Sequence, residues 1–168
     1  MQTKQIATPL DLELELDFPE ASCILDSQLA KELEYCAAEL LWKTGIVSSN
    51  ISRGNSVFRP LWNLHDIVEK ISGYLRLVTR NKSFFSRAAP EITKNNHAVY
   101  LLARESSQQI ETFLWKFSLA DKEENTAKSL AKEFSGRLQE KLIQNTKTIH
   151  AWVNHLLKLS SAASQTKN

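Results

Sequence analysis

The sequence predicts an all-α fold, a four-helix, mainly antiparallel bundle with a long C-terminal helix. Apolar residues recur at alternating steps of three and four through long segments, and only four glycines and four prolines interrupt 168 residues. Hydrophobic residues make up 42% and charged residues 24%, ordinary globular proportions that exclude wholesale disorder. The expected organisation is an extended acidic N-terminal arm over residues 1–25, the bundle over 26–163 and a flexible tail over 164–168. A chain of this length buries a real core as one domain.

The arm is the one segment without a helical period. Leu10, Leu12, Leu14, Leu16 and Phe18 alternate with Asp11, Glu13, Glu15 and Asp17, which separates an apolar face from an acidic one. No second segment of comparable quality is present to pair with it, so it is expected to lie extended along the bundle or to add to a sheet edge of another protein.

Asp26 is the expected N-cap of the first helix, whose stripe is Leu29, Leu33, Cys36 and Leu40. Gly45 suits the position just past its end. Ile46 to Arg59 is rich in serine and asparagine and reads as a loop. Pro60 fits the first turn of a second helix, and Leu61, Leu64, Val68, Ile71, Leu75 and Val78 form the cleanest heptad seam in the chain. After a short basic connection, a third helix is expected from Pro90–Glu91 to about Phe117, with Val99, Ala103, Ser106, Ile110, Phe113 and Phe117 on its seam.

The last helix is expected to open at Ser118, where Ser118 and Asp121 have the capping-box form, and to run to Ala163. Its seam is Leu138, Leu142, Asn145, Ile149, Trp152, Leu156 and Leu159. The four lengths, roughly 19, 21, 28 and 45 residues, do not match, so the last helix should either overhang or bend near Gly136. Trp152, Val153, Leu156 and Leu159 then need cover, from the bundle itself or from a second subunit, and Asn145 is a polar residue suited to fixing register or partner.

No apolar leader follows Met1 and no run is long enough to span a bilayer, so a cytoplasmic protein is expected. Two cysteines do not make a disulfide framework. The histidine pair His150 and His155 is five apart, which is not the spacing of two ligands on one helical face, and no paired cysteine motif is present. No metal, cofactor or catalytic residue is therefore expected. Closely spaced glycines of the phosphate-binding kind are absent as well.

Net charge is only +2, but it is unevenly placed: residues 1–50 hold nine acids against three lysines, and residues 51–95 hold eight bases against three acids. Arg76, Arg80, Lys82 and Arg87, interleaved with Tyr74, Phe84 and Phe85, make the segment 76–94 a candidate for stacking and phosphate contacts with nucleic acid. The reading preferred from sequence is a non-enzymatic helical adaptor or assembly subunit whose partner is another protein or a second copy. A nucleic-acid-binding subunit of a ribonucleoprotein is the alternative.

Two histidine-centred segments resemble known families. Arg59-Pro-Leu-Trp-Asn-Leu-His65 resembles the arginine–histidine motif of HEPN-type helical ribonucleases, with proline following the arginine where that family favours a polar residue. The resemblance implies RNA cleavage by Arg59 and His65. His65-Asp66-Ile67 followed by Ile71-Ser-Gly-Tyr-Leu-Arg-Leu77 is similar to the phosphoacceptor helix of histidine-kinase dimerisation domains, although that family spaces the two pieces about one turn further apart.

Overall fold

The computed structural model describes residues 25–80, 90–120, 136 and 139–166. The arm and the basic connection lie outside them. The described residues form four helices and no strand: α1 (Ser27–Ser52), α2 (Phe58–Arg80), α3 (Pro90–Ala120) and α4 (Gln139–Thr166). Each packs on two neighbours, in the cyclic order α1, α2, α3, α4.

Cross-helix bonds give the directions. His65 meets Glu111 and Leu75 meets Asn96, while Ser106 meets Asn145 and Asn96 meets Trp152, so sequence number rises on one helix as it falls on the next. Leu25 N–H donates to Ser160 Oγ at 3.0 Å, fastening the start of α1 to the end of α4. This is the up-down arrangement that short links between amphipathic helices favour.

The predicted seams form the core. Leu33, Cys36 and Leu40 are buried, as are all six seam residues of α2 and Val99, Ala103, Ser106, Ile110 and Phe113 of α3. From α4 come Leu142, Asn145, Ile149, Trp152 and Leu156. Asp26 caps α1 as expected, its carboxylate accepting from Gln28 N–H and Leu29 N–H.

Two boundaries differ from the sequence reading. Gly45 does not end α1, which continues to Ser52 and shortens the expected loop to the turn after it. The apolar stripe explains the difference: Thr44, Val47 and Ile51 prolong it at steps of three and four and pack on the core. That burial outweighs the ~1 kcal/mol that glycine costs inside a helix. The true stop is Gly54, whose φ of 71° is a conformation that disfavours a side chain. Gly54 N–H donates to Ile51 O and Asn55 N–H to Asn50 O, closing the helix in a Schellman motif.

The second difference is at the C-terminal half. Ser118 to Ala120 belong to α3, so the capping-box sequence does not open the last helix, whose described part begins at Gln139. Over the described residues the four helices have 26, 23, 31 and 28 residues. Trp152, Val153, Leu156 and Asn145 are correspondingly inside the bundle, and Leu159 packs at its margin. Of the two kinds of cover expected for this cluster, the bundle itself supplies it, through α1 and α3.

Candidate functional site

The residue pattern of α2 and α3 leaves a polar band outside the core. On α2, Phe58, Trp62, His65, Glu69 and Arg76 follow one another at steps that keep to one flank, and on α3 so do His97, Tyr100, Arg104, Glu111 and Trp115. The antiparallel packing sets the two rows side by side, forming a groove.

His65 lies at the centre, with 11% of its side chain exposed. Its Nε2 is 2.8 Å from Glu111 Oε2, so the ring hydrogen of the neutral imidazole sits on Nε2. Nδ1 is buried without a hydrogen-bond partner, 3.9 Å from Asp66 Oδ1. Trp62 meets the ring edge-on, with centroids 5.7 Å apart. One turn along, Glu69 Oε2 accepts from Arg104 Nη1 at 3.0 Å and from the buried hydroxyl of Ser107. Both bonds are to the same oxygen, so Oε1 is turned away from them.

Among the described residues, His65, Glu69 and Glu111 are the group whose possible ligand atoms all lie within 4.8 Å of one another. Three carboxylates, Asp66, Glu69 and Glu111, surround the imidazole against the single positive charge of Arg104. A cluster of this kind can hold a proton or a cation.

The residues singled out from sequence are distributed differently. Arg76 is exposed, and Arg80 ends α2. Lys82, Phe84, Phe85 and Arg87 lie outside the described residues. Tyr74 is on the opposite flank of α2 from Arg76, about 200° away at helical spacing. There it donates to Glu32 Oε2 of α1 at 2.8 Å, an interaction that raises its phenol above the ordinary tyrosine range. It therefore does not share a stacking surface with the arginine.

Arg59 and His65, six residues apart on α2, stand about 120° from each other around the helix. His65 Nε2 is not presented to solvent as a phosphoacceptor nitrogen would be, since Glu111 occupies it. Cys36 is buried, and loss of hydration pushes its thiol to about 11, which suits a small core residue and not a nucleophile. Burial lowers His150 below the ordinary histidine value.

Sequence reading passed over Glu69, Glu111, Arg104 and Ser107. The His65–Glu69 step of four was a usable local sign, but Glu111 lies 46 positions away and only the α2–α3 packing brings it in. No family model, curated protein or solved structure matches the chain. Among the described residues, no helix is long and apolar enough to cross a membrane.

Proposed function

We propose that the chain is a non-enzymatic helical adaptor or assembly subunit, and that its contacts with a protein partner are made through tryptophans on its outer surface. The observation behind this is that three of the four tryptophans are exposed: Trp42 at 68%, Trp62 at 44% and Trp115 at 67%. A fully buried aromatic side chain covers about 150–250 Å², of which a half-exposed tryptophan keeps roughly half in reserve, and this residue type dominates binding energy at the centres of interfaces.

The exposed residues form two groups. Tyr35, Trp42 and Ile46, spaced seven and four apart, make a stripe on the outer face of α1. Phe58, Trp62 and Trp115 stand along the rim of the α2–α3 groove. None is needed to fill the core, so aromatic residues at these positions are best accounted for by what they contact outside the chain.

The test is substitution without unfolding. Trp42→Glu and Trp115→Glu should leave the helical melt unchanged because both side chains already meet water. Association, measured by light scattering for self-assembly and by affinity capture for a partner, should be lost in one or both variants. Association that is the same in both, or a wild-type chain that stays single and captures nothing, would refute the proposal. A captured component absorbing at 260 nm and removed by nuclease would favour nucleic acid on segment 76–94 instead.

A further inference from the structure

We propose that the α2–α3 groove holds a first-row divalent transition ion, of which Zn2+ is the type, ligated by His65 Nε2, a carboxylate oxygen of Glu111 and Glu69 Oε1. The donor set selects the ion. One imidazole nitrogen with two carboxylate oxygens suits zinc and its first-row neighbours, whereas magnesium and calcium sites are built of oxygen alone.

Geometry supports the ligand set. His65 and Glu69 are four apart on one helix and share a flank, and Glu111 faces them from α3. Donors bonded at about 2.0–2.1 Å to a tetrahedral ion stand roughly 3.3 Å apart. The His65–Glu111 pair is at 2.8 Å and the whole group within 4.8 Å. Adjustment by about an ångström admits the ion, and Glu111, 56% exposed, is free to make it. Three protein ligands leave the remaining position open toward solvent.

The second, independent observation is the stranded Nδ1 of His65. While Nε2 donates to Glu111, Nδ1 is a buried acceptor with nothing to accept from. Metal binding reverses the ring: the Nε2 lone pair goes to the ion, the ring hydrogen transfers through solvent to Nδ1, and Asp66 Oδ1, 3.9 Å away, becomes its acceptor. Asp66, 72% exposed, has to close by about an ångström to accept that hydrogen, after which both nitrogens are satisfied; the ion-free tautomer satisfies only Nε2. Arg104 and Ser107, both on Glu69 Oε2, hold that carboxylate with Oε1 available and offset part of the negative charge.

The experiment uses the full chain, stripped of metal by a chelator and titrated with Zn2+ by calorimetry. One ion should bind per chain, with a change in tryptophan emission because Trp62 touches the His65 ring. His65→Ala and Glu111→Gln should each weaken binding by at least about tenfold, and Asp66→Asn, which removes only the outer partner, by about tenfold. His97→Ala should bind as the wild type does. Glu111→Gln alters an exposed side chain, so it keeps the test valid if His65→Ala fails to fold. Absence of one-to-one binding, or binding undiminished in Glu111→Gln, would overturn the site, as would loss in His97→Ala with retention in His65→Ala.

Discussion

At the α3–α4 seam, Asn96, Ser106, Asn145 and Trp152 have no appreciable exposed surface, whereas in the α2–α3 groove Glu69, Arg104 and Glu111 reach water around a nearly buried His65. Both places are polar and both join two helices. In the seam polar groups bond mainly to one another, although Asn145 Oδ1 is buried without a hydrogen-bond partner. Asn96 donates to Leu75 O at 3.2 Å and accepts from Trp152 Nε1 at 2.9 Å, so one side chain of α3 ties together α2 and α4. Asn145 donates to Ser106 Oγ at 3.2 Å. Such bonds are strong because water is absent, and each specifies a register, since a shift of one residue would leave them unpaired. Across the groove the charged side chains of Glu69, Arg104 and Glu111 are partly in water, so their ion pairs contribute little to stability and remain available to a ligand.

The largest expected effect that separates the two places is at Trp152. Trp152→Ala should cost about 3–5 kcal/mol by removing a buried aromatic side chain and its indole hydrogen bond. Asn96→Ala should cost about 1–3 kcal/mol, chiefly by stranding the Trp152 indole N–H. Urea denaturation measures both. A loss below about 1 kcal/mol at Trp152 would mean that α4 does not dock as described and that this residue is free for a partner after all.

That docking also marks where the sequence was legible. The heptad seams of α2, α3 and α4 identified core residues because a 3–4 step admits one buried face, and Asp26 was recognisable as a cap from its carboxylate and position. Helix ends were harder to read. Gly45 carries an intrinsic stop signal, but Val47 and Ile51 beyond it gain more from packing than the glycine loses. Ser118 has capping chemistry at a position where α3 is still running. At Gly45 tertiary burial overrides a local preference. The misplaced ends produced the unequal lengths, and the unequal lengths left open whether the bundle or a second subunit covers Trp152. The candidate site was less visible still, because it is made of pairs between helices: Glu111 and Arg104 acquire meaning only opposite His65 and Glu69.

A smaller effect is expected in the groove. Glu69→Gln keeps an acceptor for Ser107 while removing the charge opposite Arg104, and Glu111→Gln keeps an acceptor for His65. With no metal ion added, each should change stability by less than about 1 kcal/mol, as exposed ion pairs do. A cost near that of Trp152→Ala would make the groove a structural element like the seam, and the distinction between the two would collapse.

The smallest effect tests the border between these environments, at His150 on α4. Burial disfavours its charged form, so its folded pKa lies below the unfolded value of 6.5. The Asn154 amide nitrogen lies 3.3 Å from both ring nitrogens, where an imidazolium would set N–H groups against N–H groups. Between the folded and unfolded pKa values the unfolded chain binds more protons, so stability rises with pH there. The contribution is full above the unfolded pKa and is lost as pH falls through the folded one. Melting temperature should therefore decline from pH 7.5 toward 5.5, a window above the range in which ordinary carboxylates titrate. His150→Gln should reduce that decline. If the wild type and the variant followed the same curve, His150 would be solvated as the groove residues are, and α4 would present its flank to water at that turn.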